Sequence, residues 1–122
     1  MRILVVDDTP IVLLTTERML KKAGYQVLSA SSGLEATEIV KDQHFDLVLM
    51  DVVMGDMSGP DAARRIRLMR PEKAIVFMTG FSDHLDMLDS RREVVVRKPF
   101  TSDGLIRILG GVLGRTASGA AG

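Results

Sequence analysis

With 122 residues, 46% of them apolar and 26% charged, the chain has the composition of one globular domain and enough apolar surface for a core. Sixteen basic residues balance sixteen acidic ones, so no net field draws it to nucleic acid or to an anionic membrane. The absence of cysteine excludes disulfides and thiolate metal sites, and apolar runs of at most five residues exclude a membrane-spanning helix.

The chain enters its first strand with no signal peptide, and a cytoplasmic location is expected. Ile3–Val6 is that strand, and it ends in two adjacent carboxylates, Asp7 and Asp8. Thr9 then offers an N-cap and Pro10 a first helical position. Val12, Leu13, Thr16, Met19, Leu20 and Ala23 form the apolar face of this helix, which Gly24 ends. Tyr25–Ala30 is a more mixed strand, suited to an edge. Ser32 with Glu35 makes a capping-box pattern before a helix carrying Ala36, Ile39 and Val40.

Leu47–Met50 is the next apolar strand, followed by Asp51. Pro60 opens a helix in which Ala62, Ile66 and Met69 share a face. Ala74–Met78 leads into Thr79 and Gly80, whereas residues 82–93 are poor in apolar residues and predict one short helix. Val94–Val96 leads to Lys98-Pro99, and a last helix follows Ser102 with Leu105, Leu109 and Val112 inward. The expected organisation is a domain over residues 1–113, with 114–122 a flexible tail or the start of a linker.

Strand and helix thus alternate five times, (βα)5. Strands apolar on both faces belong to a parallel sheet covered by helices on each side. The reading is an α/β, doubly wound, flavodoxin-like fold with a five-stranded parallel sheet in the order 2-1-3-4-5. In that order a ligand site lies beyond the carboxyl ends of strands 1 and 3.

Asp7, Asp8, Asp51, Thr79 and Lys98 all follow strands, so a parallel sheet brings them to one edge. Three carboxylates that close repel one another, and a divalent cation offsets the repulsion. All-oxygen ligation with room for water suits Mg²⁺ better than zinc. One Asp is then a candidate nucleophile, with Lys98 and Thr79 placed to hold phosphoryl oxygens.

The stretches Asp7-Asp8, LVLMDVVMGDMSG, FMTGF and VRKPF resemble the receiver domain of two-component response regulators over about residues 1–113. The resemblance implies that Asp51 accepts a phosphoryl group from the phosphohistidine of a histidine kinase. It implies Mg²⁺ held by Asp7, Asp8, Asp51 and the backbone carbonyl of Val53, with Thr79 and Lys98 on the phosphoryl group. It further implies a cis bond between Lys98 and Pro99, a small residue at Gly80 beside the site, and output through a partner protein or a histidine phosphotransfer protein. DVVMGDMSGPD is similar to the receivers of hybrid kinases, whereas Met1 ahead of strand 1 suits a free-standing regulator, and both origins stay open.

Several positions depart from the family pattern. Gly55 stands where proline is common, which is expected to loosen the loop without losing a ligand. Val95 stands where a switching Tyr or Phe is usual, leaving Phe81 or Phe100 as candidate substitutes. Only 19 positions separate Thr79 from Lys98, which predicts a short or irregular fourth helix. FMTGF without an aromatic switch resembles a subgroup of single-domain regulators with Phe-x-Thr-Gly after strand 4. Val53 and Phe81 flank the site and have no side-chain group that orients water, so slow self-dephosphorylation is expected.

The remaining features read as structure. The methionines at 50, 54, 57 and 78 fill gaps, Arg64, Arg65, Arg67 and Arg70 form a solvated face, His44 and His84 lie on the surface, and Asp56 serves the loop. Two other functions compete with the signalling switch. One is a haloacid-dehalogenase-type phosphohydrolase, whose Asp-x-Asp motif differs from the adjacent pair here. The other is a receiver-like module that binds partners without phosphorylation.

Overall fold

The computed structural model describes residues 1–80 and 93–121. Five strands and four helices are present there: β1 (Arg2–Val6), α1 (Pro10–Lys22), β2 (Gln26–Ala30), α2 (Gly33–Asp42), β3 (Leu47–Asp51), α3 (Gly59–Met69), β4 (Ala74–Thr79), β5 (Val94–Arg97) and α4 (Ser102–Ala121). The strands form one parallel sheet in the order β2-β1-β3-β4-β5. The short helix expected over 82–93 falls, apart from Glu93, outside the described residues, as do Phe81 and His84. The backbone of α4 continues to Ala121, through the residues read from sequence as a tail or linker.

Alternation along the strands builds two cores. Leu4, Val6, Val48, Met50 and Phe77 face one side and pack with Ala36, Val40, Ala62 and Ile66 of α2 and α3. Ile3, Val5, Leu49, Val76 and Met78 face the other and pack with Leu20, Leu105 and Leu109 of α1 and α4. Residues that alternate and are apolar on both sides are what a sheet buried on both faces requires. Val112 packs beside the second core, and Leu113 supplies the buried position next to it.

The local signals for the helices are met with small differences. Thr9 precedes Pro10 but makes no side-chain cap. Ser32 accepts from the Glu35 N–H at 3.1 Å and Ser58 from the Asp61 N–H at 3.2 Å, each satisfying a first-turn donor. Gly24 adopts φ +99°, a conformation that costs glycine little and turns the chain out of α1.

At the amino edge of the sheet a lysine is buried. Lys73 donates to the Phe45 carbonyl and lies 3.4 Å from His44 Nδ1. Burial pushes its ammonium pKa down. His44 is at the surface, with Asp46 3.6 Å from its other ring nitrogen. Two arginines of α3 have acidic partners: Arg64 meets Asp61, and Arg67 makes two bonds of 2.9 and 2.8 Å to Glu93.

Candidate functional site

Strand register assembles the site. Val6 is opposite Met50, so the residues that follow them, Asp7 and Asp51, leave adjacent strands side by side. Asp51 is opposite Met78, and Thr79 is opposite Arg97, which brings the hydroxyl and Lys98 to the same edge. Lys98 N–H also donates to the Thr79 carbonyl at 2.8 Å.

Asp7 is fully buried. Its Oδ1 accepts from the Thr9 N–H at 2.9 Å and its Oδ2 from Lys98 Nζ at 2.8 Å. Lys98 Nζ lies 3.2 Å from Asp51 Oδ2, so one ammonium bridges two carboxylates. Desolvation opposes the charged ammonium, but the bond to Asp7 and the nearby Asp51 outweigh it and raise the Lys98 pKa. Asp51 is only 7% exposed. Burial, with Asp7 adding repulsion, raises its pKa despite the countering Lys98 and the Val53 N–H.

Asp8 is exposed beside this pair. One carboxylate oxygen from each of Asp7, Asp8 and Asp51 lies within 4.8 Å of the others. An all-oxygen donor set of this size and charge fits a small hard divalent cation. Thr79 is 2% exposed at the end of β4, and Gly80 after it is exposed, with no atom of the described residues within 4 Å of where a Cβ would stand. Val53 is at the rim with its side chain in solvent. The Lys98-Pro99 bond is cis.

Close approach dictates one glycine. A Cβ on Gly59 would stand 2.2 Å from the Asp51 carbonyl oxygen, and its N–H donates to the Val52 carbonyl at 2.7 Å. The Gly55 N–H, which proline at this position would lack, donates to Asp8 Oδ2 at 2.9 Å. Asp56, read as a loop residue, accepts from the Gly33 and Leu34 N–H groups. The glycine at 55 was the available signal for the first bond, since proline has no N–H to give.

Val95 packs against the core beneath α2 and α3, opposite Phe77 in register. Phe100 packs on the other face, with α1 and α4, and therefore does not occupy the space a ring at 95 would take. There it borders an apolar groove with Ile11, Thr15, Met19 and Pro99 that opens next to Lys98.

Comparison with known proteins places this arrangement. The family model described as the response regulator receiver domain matches residues 3–109. The autoinducer 1 sensor kinase/phosphatase LuxN of Vibrio campbellii is 35% identical over 121 residues, which are 98% of this chain but 14% of LuxN. The chain thus spans about a seventh of that relative's length. Sporulation initiation phosphotransferase F of Bacillus subtilis is 31% identical over 106 residues, 84% of this chain and 85% of that protein. Among solved structures, the response regulator TrrA of Thermotoga maritima, in complex with Mg²⁺-BeF, superposes with a TM-score of 0.84. It is 31% identical and covers 91% of this chain and 97% of its own.

Proposed function

The chain belongs to the response regulator receiver domain family, and from that premise we propose that it is a phosphoacceptor switch with Asp51 as the acceptor. The single observation that carries this reading is the bridge from Lys98 to Asp7 and Asp51 beside Asp8, a carboxylate cluster with a cation already at one side.

A carboxylate oxygen of Asp51 attacks the phosphorus of a histidine kinase phosphohistidine. The P–N bond breaks, its electron pair leaves with the imidazole, and Asp51 becomes an acyl phosphate. Lys98, already against Asp51, balances charge on a phosphoryl oxygen, and the Thr79 hydroxyl donates to another. Asp7, Asp8, Asp51 and the Val53 carbonyl would hold Mg²⁺, which when bound neutralises the carboxylates and polarises the phosphoryl group. Gly80 leaves the approach open, and Pro99 follows the lysine at the site's edge.

The product is a signal, with no dedicated turnover of substrate. Aspartyl phosphate shifts a two-state equilibrium and changes affinity for a partner, or the phosphoryl group passes on to a histidine phosphotransfer protein. We assign residues 1–113 to the receiver and 114–122, into which α4 continues as far as Ala121, to a tail or the start of a linker, in a cytoplasmic protein. Among the described residues no helix is long and apolar enough to cross a membrane.

A radiolabelled histidine kinase fragment carrying phosphohistidine tests the reading. Label should move to this chain only with Mg²⁺, be released by hydroxylamine as acyl phosphates are, and fail to move to Asp51→Asn. Transfer to Asp51→Asn as readily as to the wild type would contradict it.

A further inference from the structure

One oxygen of Asp8 already has a donor. The Gly55 N–H reaches Asp8 Oδ2 at 2.9 Å across 47 positions of sequence, joining the β3–α3 loop to the end of β1. Asp8 is exposed, and an exposed carboxylate without such a bond moves among rotamers.

Gly55 is itself held. The next residue, Asp56, extends to α2, where its Oδ1 accepts from the Gly33 N–H at 3.1 Å and its Oδ2 from the Leu34 N–H at 2.8 Å. First-turn N–H groups have no partner within their own helix, so a carboxylate there is doubly favoured. Desolvation, the largest single influence, opposes ionisation of Asp56. The Leu34, Gly33, Met57 and Asp56 N–H groups together overcome it and lower the pKa. Met57 then lies over Gly33, where a Cβ would stand 2.5 Å from Met57 Cγ. The loop is thus fastened to α2 on one side and to Asp8 on the other.

We propose that Gly55 and Asp56 are positioning residues for cation binding: the Gly55 N–H orients the Asp8 carboxylate, and Asp56 fixes Gly55 by anchoring the loop to α2. The proposal rests on the reading of Asp7, Asp8 and Asp51 as a Mg²⁺ site. A neutral N–H on a ligand carboxylate brings no competing charge. It reduces the freedom that Asp8 must lose when a cation binds. The device needs a main-chain N–H at position 55, which every residue except proline supplies. Gly55 is not among the residues with positive φ, and a Cβ there would meet Asp8 Oδ2 at 3.6 Å, an ordinary contact. Alanine therefore keeps the bond and proline removes it.

The test is calorimetric titration of Mg²⁺ into the full chain, as wild type, Gly55→Pro, Gly55→Ala and Asp56→Ala, with Asp8→Asn as the control for the site itself. Thermal midpoints without Mg²⁺ are recorded alongside. Gly55→Pro should weaken Mg²⁺ binding by about tenfold. Gly55→Ala should recover most of that loss, and Asp56→Ala should weaken binding in the same direction. A role in folding alone would lower the midpoint and leave the Mg²⁺ constant where it was. The proposal is overturned if folded Gly55→Pro binds as tightly as the wild type, or if Gly55→Ala is as weak as Gly55→Pro. Should Gly55→Pro fail to fold, Asp56→Ala decides alone, and unchanged affinity there overturns the proposal. Absence of Asp8-dependent Mg²⁺ uptake in the wild type would refute the metal-site reading, and the positioning role with it.

Discussion

Lys98 Nζ lies 2.8 Å from Asp7 Oδ2, and that aspartate is fully buried. The ammonium therefore compensates a carboxylate that has no solvent to do so, besides its contact with Asp51. Removing one partner of a buried pair leaves the other uncompensated, at a cost of about 3 kcal/mol. Lys98→Met should lose stability by that order in metal-free buffer, and Mg²⁺ should stabilise it more than it stabilises the wild type. Urea unfolding with and without Mg²⁺ checks both; equal Mg²⁺ responses would contradict the account.

Asp51 supplies a pH dependence. Its carboxyl pKa is raised in the folded chain, chiefly by burial, so the folded state binds its proton more tightly than the unfolded state does. Stability from this group is therefore full below the unfolded value of about 4 and falls as pH rises through the raised value. Asp51→Asn carries no such penalty. In metal-free buffer it should exceed the wild type in stability at neutral pH, with the margin shrinking on acidification. Denaturant midpoints across pH read this directly, and a margin that grows toward low pH would reverse the sign.

Gly59 is fixed by space. Its missing Cβ would stand 2.2 Å from the Asp51 carbonyl oxygen, a contact that only backbone movement relieves. Gly59→Ala should cost about 1–3 kcal/mol and slow phosphorylation by displacing Asp51. Gly33→Ala meets the flexible Met57 side chain instead and should cost less. Thermal melts of the two variants test the ranking.

The rim predicts a long-lived phosphoryl group. Val53 exposes an aliphatic side chain that orients no hydrolytic water, and Phe81, which lies outside the described residues, carries no hydrogen-bonding side-chain group either. Phosphorylated chain in Mg²⁺ buffer without a phosphatase should decay over minutes or longer. Val53→Asn, which adds a hydrogen-bonding amide, should shorten that time. Decay of the wild type within seconds would contradict the prediction.

Much of this was legible in the residues. Apolar runs that stop at Asp7, Asp51 and Thr79 mark strand ends, and a parallel sheet must gather strand ends on one edge. The mixed composition of β2 placed it at an edge, where it lies. What the sequence hid depends on contacts between distant positions. Glycine in place of proline at 55 leaves an N–H free to donate, but nothing local names Asp8 as its acceptor, and nothing near Asp56 points to α2. Lys73 is buried because the turn before β3 supplies the Phe45 carbonyl to it, a contact no local residue signals. Phe100 looked like a substitute for a ring at 95, but the two positions face opposite sides of the sheet.

The most direct measurement is intact mass after incubation with acetyl phosphate, with and without Mg²⁺, on this chain and on Asp51→Asn. The wild type should gain one phosphoryl group only when Mg²⁺ is present, and the variant should gain none. A gain that persists without Mg²⁺ or in Asp51→Asn would contradict it, as would a wild type that takes no phosphoryl group from either acetyl phosphate or a phosphohistidine kinase.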